Sequence, residues 1–315
     1  MKEVVAAVVD LGSHAARLRV ARLPFSERSA PAHFETLFDD RVVTRLEEGL
    51  LPAGGLSDEA IEKTLEVLRV FKRKMDALGA TRRLVAGTSA VRTATNRSAL
   101  SERISRELGF PLRVLSFEEE ARLSARGALM ALRPPPYSAL TADVGGGSTE
   151  LSLTRGGELL WWRSESIGSL SLLRRFPLEA PAKDRVPLEN YVAEVFRSSL
   201  EGCHLPLDPP ATLIATGGTA ANLGAMVYEI SLQDPDAING LPISEEALET
   251  TYQRVARASR EERSRMRFLE QERWDTILPG LAIFRALKTL CRAPSILVSH
   301  WGLREALVSD LFLAP

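Results

Sequence analysis

Cysteine is nearly absent from this 315-residue chain, with only Cys203 and Cys291. Two residues without metal-ligand spacing exclude a cysteine-rich zinc site and give no disulfide framework. No apolar run approaches the ~18 residues needed to span a membrane as a helix. The chain enters a strand pattern by Val4, which leaves no room for a signal peptide. Excess charge is missing too: the formal net charge is -1, so bulk electrostatics do not advertise nucleic acid as a partner. Most of the 40 basic residues are arginine, but the bias runs along the whole chain and carries little functional weight. These absences point to a cytoplasmic protein.

What remains is ordinary globular material, 45% apolar and 26% charged. At this length two domains are the default, because one core stops growing at about 250–300 residues. The cluster Arg133-Pro134-Pro135-Pro136 breaks the chain near its middle, and we expect domains over 1–130 and 131–315, the closing helix packing back on the first.

The most informative stretch is Asp143-Val144-Gly145-Gly146-Gly147-Ser148-Thr149-Glu150. It lies between an apolar strand run (Tyr137 to Ala142) and an alternating one (Leu151 to Thr154), and so reads as the turn between two strands. Glycine N–H groups in such a turn can cradle an anion, and Ser148 and Thr149 add hydroxyl donors. Asp143 and Glu150 supply the hard oxygens that Mg²⁺ prefers. Taken alone, a glycine triplet is as readily a flexible hairpin. However, Asp10-Leu11-Gly12-Ser13 repeats the unit of strand, Asp-x-Gly, small residues and strand, 133 positions earlier. That period is far too long for a solenoid and fits two duplicated domains whose hairpins face a shared cleft.

Between the two hairpins, Ser57 to Leu78 has the spacing of an amphipathic helix with Ser57 as N-cap. Arg83 to Ala86 form a strand that runs into Gly87-Thr88-Ser89-Ala90-Val91-Arg92. There a helix start offers N–H groups and hydroxyls to an anion, with Arg92 one turn in. An N-cap followed by a surface arginine explains the same residues equally well. In Ser116-Phe117-Glu118-Glu119-Glu120, Ser116 and Glu119 fit a capping box and Glu118 suits the helix dipole. Glu120 has no such explanation. Further on, Thr216-Gly217-Gly218-Thr219 is a second glycine turn leading into a helix, and Ser244 to Lys288 is mostly helical. The Arg-Glu run from Arg260 to Arg267 reads as a solvated helix face, and Trp161-Trp162 as a strand with one buried and one surface face.

These segments, with Glu118 to Leu123 and Gly302-Leu303-Arg304-Glu305, occur in the order of the exopolyphosphatase and guanosine pentaphosphate phosphatase (Ppx/GppA) family, which the chain resembles over nearly its whole length. The resemblance implies an α/β fold of two duplicated ribonuclease-H-like domains of the actin, Hsp70 and sugar-kinase superfamily, flanking a cleft. By position, Glu120 resembles the general base that activates water, Arg92 the phosphate-binding arginine, and Asp143 and Glu150 the carboxylates holding Mg²⁺ (or Mn²⁺). Asp10, Gly12 and Ser13, then Gly145, Gly146, Gly147, Ser148 and Thr149, then Gly217, Gly218 and Thr219 resemble the phosphate-binding loops. The implied partners are polyphosphate or guanosine penta- or tetraphosphate, and a second copy of the chain. The chain looks like a short form, without the extra helical region of the long members.

Two places depart from the family pattern. Its first loop usually reads Asp-x-Gly-Ser-Asn-Ser, whereas His14 and Ala15 stand here. Ser299-His300-Trp301 and Ala306 replace residues around the Gly-Leu-Arg-Glu-Gly run. Three readings follow: a Mg²⁺-dependent hydrolase of polyphosphate or guanosine pentaphosphate, a weakly active regulatory binder of polyphosphate or guanosine tetraphosphate, and an ATP-using kinase or chaperone-like ATPase. The Glu120 segment argues against the third.

Overall fold

The computed structural model describes residues 3–23, 34–177, 184–205, 211–231 and 233–313. Its contacts divide the chain into two units. One comprises 1–120 with 303–315, the other 121–302. The division thus falls between Glu120 and Ala121, ahead of the proline cluster at 134–136.

The first unit is built on a five-stranded sheet. Its strands are β1 (Val4–Leu11), β2 (Ala15–Leu23), β3 (Glu35–Val43), β4 (Arg82–Gly87) and β5 (Leu112–Val114), in the order β3-β2-β1-β4-β5. Central β1 pairs antiparallel with β2 and parallel with β4 along its two edges, and Ala6 to Val9 are buried on both faces, which is why it reads as an apolar run. Helix α1 (Asp58–Ala77) starts where Ser57 Oγ accepts from the Ala60 N–H at 3.2 Å, and it buries Ile61, Leu65, Leu68 and Phe71. These residues pack with Val9, Leu11 and Leu18 of the sheet and Leu100 and Ile104 of α3 (Arg97–Leu108). Short α2 (Ser89–Thr93) follows β4, and α4 (Phe117–Met130) follows β5.

The second unit repeats the plan. Its strands are β6 (Ser138–Val144), β7 (Thr149–Arg155), β8 (Glu158–Glu165), β9 (Thr212–Thr216), β10 (Pro242–Ile243) and β11 (Ile296–Val298), in the order β10-β11-β9-β6-β7-β8. Read from the other edge, an antiparallel trio is followed by two parallel strands, as in the first unit, and β10 is added at the far edge. The helices are α5 (Ser169–Arg175), α6 (Val186–Ser199), α7 (Gly218–Tyr228), α8 (Glu245–Arg257), α9 (Arg260–Ser264) and α10 (Ile277–Leu290). Phe196, Tyr252, Leu281 and Phe284 from these helices fill the core beside Leu140, Leu151 and Leu213.

The duplication extends to single residues. The ladder shifts register between Val20 and Ala21 in the first unit, and between Leu153 and Thr154 in the second, again 133 positions on. A bulge re-aims a strand and is a designed feature rather than a defect, so its recurrence at one offset supports descent of both units from one plan.

The closing helix α11 (Leu303–Leu313) packs on β1 and β2 of the first unit. A buried ion network pins it there: Arg19 meets Asp39 at 2.5 Å and Glu305 at 3.1 Å, and Arg304 meets Asp39 at 2.7 Å. Burial works against the Arg304 charge, but Asp39, Glu305 and Asp10 outweigh it and the Arg304 pKa rises. Ser299-His300-Trp301 has its own anchor, since Asp236 Oδ1 lies 2.9 Å from both His300 Nδ1 and Trp301 Nε1.

Two expectations need correction. The Arg260–Arg267 run is not uniformly solvated: Arg263 is 2% exposed and donates from Nε to Val255 O at 2.8 Å and from Nη2 to Ala256 O at 3.4 Å. It thereby satisfies carbonyls in the last turn of α8, and burial pulls its pKa down. Trp161 and Trp162 are both half-buried rather than one in and one out, and the Trp161 ring packs against the core.

Inside α4, Gly127 lies so close to the chain at Gly302 that an added Cβ would sit 1.8 Å from the Gly302 carbonyl oxygen. Neither backbone can yield cheaply. We expect Gly127→Ala to destabilise the protein by about 1–3 kcal/mol or more, although alanine is the better helix former; urea denaturation of both forms checks it.

Candidate active site

In the second unit, the β6–β7 hairpin closes where the Gly145 N–H donates to Ser148 O at 3.0 Å. This bond sets the register that places Asp143 directly opposite Glu150. Both carboxylates therefore belong to strands, one on each side of the turn, rather than to the turn itself. Glu150 in turn lies opposite Ser164 on β8, and Asp143 beside Thr216 on parallel β9. One row across four strands thus reads Thr216, Asp143, Glu150, Ser164. Ser164 Oγ donates to Glu150 Oε1 at 2.9 Å, and Thr216 Oγ1 donates to Trp301 O at 2.7 Å. Thr149 points its hydroxyl at Ile167 O at 2.7 Å, a structural bond.

The loop carbonyls are used up on one side. Gly145 O accepts from the Ser169 N–H at 2.9 Å, and Gly146 O accepts from Leu170 and Ser171 at 2.8 and 3.1 Å, all at the start of α5. The N–H groups of Gly146, Gly147 and Ser148 have no acceptor among the described residues. A loop whose carbonyls turn toward a helix N-terminus and whose N–H groups remain available has the polarity of an anion cradle.

Gly217 closes the other side. Its φ of 87° is open to glycine, and a Cβ there would lie 2.7 Å from Asp143 Oδ1 and 2.9 Å from Val144 O. Gly218 opens α7 directly after it. Thr219 is buried against Gly280 of α10, whose added Cβ would meet its hydroxyl at 2.6 Å.

The first unit carries the same turn with other side chains. The Gly12 N–H donates to Ala15 O at 3.1 Å, Ser13 O accepts from Glu47, and His14 O accepts from Thr44 and Arg45. Ser13 and His14 are buried, and Ala15 stands where the second loop has Ser148. Asp10 lies opposite Arg17, which lies opposite Arg41. Where the second unit has two facing carboxylates, the first has one carboxylate facing arginine.

Beside that turn, Thr88 donates its N–H to Leu11 O at 3.2 Å and leads into α2. Arg92, the fourth residue of α2, is held on three sides. Its Nη1 donates to Glu120 Oε2 at 2.7 Å and to Leu115 O at 2.9 Å, and its Cζ lies 3.8 Å over the Phe117 ring. Phe117 and Glu120 are three residues apart on α4 and therefore share a face. The Ser116 and Glu119 capping box forms in both directions, at 3.1 and 2.9 Å, and fixes that helix start. Backbone donation from Ser116, then Arg113, holds the Glu119 carboxyl below its ordinary range. Glu118 is exposed. The glutamate without a capping role is thus the one gripped by arginine, with both side chains 10% exposed. Arg92 Nε and Nη2 are buried and meet no acceptor among the described residues.

Asp143 and Glu150 suit Mg²⁺ or Mn²⁺ by the chemistry of their donors: hard carboxylate oxygens in cross-strand register, with Gly217 leaving open the space beside Asp143 Oδ1. Among the described residues no cluster of three or more His, Cys, Asp or Glu side chains forms a complete metal cage. Magnesium usually takes one or two carboxylates and completes its shell with water and phosphate oxygens.

Two ribonuclease-H-like units, each closing its central hairpin with a polar turn, give the chain the duplicated α/β architecture expected of it. The sequence profile of the Ppx/GppA phosphatase family matches residues 27–314, and the chain belongs to that family. It is therefore an enzyme, a phosphohydrolase of polyphosphate or guanosine pentaphosphate, from a family whose members generally depend on a divalent metal. Among solved structures, it resembles the Ppx/GppA family member of Aquifex aeolicus at 26% identity and a TM-score of 0.83, over 99% of this chain and 98% of that one. An exopolyphosphatase from Cytophaga hutchinsonii shares the fold at 24% identity and a TM-score of 0.85, over 99% of both chains.

Gly217→Ala should lower stability by about 1–3 kcal/mol through backbone strain and also abolish most phosphate release, because its Cβ displaces Asp143. Gly202 also has a positive φ (79°), but its Cβ would meet nothing within 4 Å. Gly202→Ala should cost stability alone, and thermal melting with a phosphate-release assay on both variants separates the two effects.

Proposed function

We propose that this chain removes the terminal phosphate of inorganic polyphosphate, or the 5′ γ-phosphate of guanosine pentaphosphate, by attack of a water that Glu120 orients. The carrying observation is the Arg92–Glu120 grip: a buried carboxylate fixed at 2.7 Å by a guanidinium whose Nε and Nη2 meet no acceptor among the described residues. Phosphoryl transfer asks little covalent chemistry of the protein. It needs an oriented nucleophile and donors aimed at the equatorial oxygens. In this reading Glu120 receives the proton of the attacking water. Arg92 Nε and Nη2 bind phosphate oxygens, and the N–H groups of Gly146, Gly147 and Ser148 hold the anion, with the Ser13 loop a further donor. Asp143 and Glu150 hold Mg²⁺, which would neutralise charge on the phosphate oxygens. No membrane-crossing helix occurs among the described residues, and both cysteines are free thiols, in keeping with the reducing cytoplasm.

The runner-up is a regulatory binder of polyphosphate or guanosine tetraphosphate, favoured by Ala15, which removes one hydroxyl from the first loop.

Phosphate release in Mg²⁺ from long polyphosphate, short polyphosphate and guanosine pentaphosphate decides between them. Glu120→Ala should lower turnover by ~10²–10⁴-fold while substrate binding persists, and chelation should stop release. The preferred substrate names the subgroup. Wild-type protein that binds guanosine tetraphosphate tightly but releases phosphate from none of the three would establish the binder instead.

A further inference from the structure

Ser164 was not among the residues the sequence pattern singled out. It stands at the end of the carboxylate row, directly across from Glu150, with its Oγ donating to Glu150 Oε1 at 2.9 Å. Glu150 is 3% exposed, so its carboxylate is oriented by protein groups rather than by bulk water, and the Ser164 hydroxyl is one of those groups. The bond lies within one row of an antiparallel sheet, where side chains of facing residues are neighbours by geometry.

We infer that Ser164 is a positioning residue for the divalent-cation site. Its hydroxyl fixes the Glu150 carboxylate in the orientation that binds metal. The inference rests on the reading that Asp143 and Glu150 hold the cation. The corresponding row of the first unit supports a dedicated arrangement. There Asp10 faces Arg17 and Arg17 faces Arg41, so a guanidinium stands where Glu150 would be, and neither a second carboxylate nor a hydroxyl follows. The serine accompanies the carboxylate pair in the one unit that has it. Thr216, the other hydroxyl of the row, is committed to Trp301 O and does not duplicate the role. Partners that orient metal-binding carboxylates typically contribute ~10–100-fold to metal affinity.

The test is Mn²⁺ binding in the presence of inorganic phosphate, followed by the loss of the free-ion electron paramagnetic resonance signal, for wild type, Ser164→Ala, Ser164→Thr and Glu150→Gln. Thermal melting of each confirms the fold. Support consists of Glu150→Gln losing Mn²⁺, Ser164→Ala weakening it by ~10–100-fold, and Ser164→Thr, which keeps the hydroxyl, restoring most of the affinity. Half-maximal activation by metal should move with the dissociation constant. If Glu150→Gln loses Mn²⁺ while Ser164→Ala binds as wild type does, the role of Ser164 is overturned and the metal reading stands. Equal weakening by Ala and Thr also overturns it, because bulk rather than the hydroxyl would then matter. If wild type binds no Mn²⁺, or Glu150→Gln binds as wild type does, the metal reading falls and the inference falls with it.

Discussion

The pairing of Asp143 with Glu150 across the β6–β7 ladder is the constraint on which the arrangement of the second unit's polar row depends. Strand side chains alternate faces with a period of two, so a one-residue slip would carry every side chain of one strand to the opposite face. The slip is opposed at the turn, where Gly145 and Ser148 close the hairpin, and along the ladder, where Leu151 and Leu153 are buried in the core. Once that register holds, the rest follows by adjacency. Parallel β9 brings Gly217 against Asp143, antiparallel β8 brings Ser164 against Glu150, and α5 takes the carbonyls of the glycine loop.

Duplication supplied two copies of this hairpin, and divergence gave them different work. Both keep an aspartate at the same register and the same turn bond, but its partner is Glu150 in one and Arg17 in the other. Two facing carboxylates repel one another and so favour a cation or donors nearby, whereas a carboxylate facing a guanidinium is neutralised already. On the proposed reading, only the second unit's row presents the paired carboxylates that a divalent metal prefers. The first unit adds the Arg92–Glu120 pair, carried on the helices that follow β4 and β5. It also carries the cost of the Arg19, Asp39, Arg304 and Glu305 network. Desolvating such charges offsets much of their attraction, so the network is better understood as selecting one docking of α11 than as a large source of stability.

Most of this was legible in the sequence where local chemistry and burial agree. The two hairpins, α1 with its Ser57 cap, and the Ser116–Glu119 box were all readable from spacing. β3 was not, because Glu35, Asp39, Asp40 and Arg41 give an edge strand the composition of a loop. Only the fold shows that Asp39 is there to meet Arg19 and Arg304. Arg263 was misread for the complementary reason: a charged run looks solvated until the carbonyls it caps are known. Ser164 carries no motif at all, since its meaning comes from a partner fourteen residues away across a ladder. Thr219, conversely, has the right motif, yet its side chain packs on Gly280.

The departures at His14 and Ala15 bear on the choice between hydrolase and binder, and their location limits what they can do. Both lie in the first-unit turn, whose backbone frame is intact: Gly12 still closes on Ala15 O, and the Ser13 and His14 carbonyls still accept from the segment after β3. A backbone cradle is indifferent to which side chains it carries, so losing the Ala15 hydroxyl removes one donor without opening the loop. On the proposed reading, the groups that separate turnover from binding are Glu120 with Arg92, and Asp143 with Glu150. Arg92 is held by Leu115, Phe117 and Glu120, and the carboxylate pair by the β6–β7 ladder, both frames that do not run through the first turn's backbone. A change confined to one phosphate loop weakens the hold on a substrate oxygen in the ground state and transition state alike. By that argument it moves affinity before it moves chemistry.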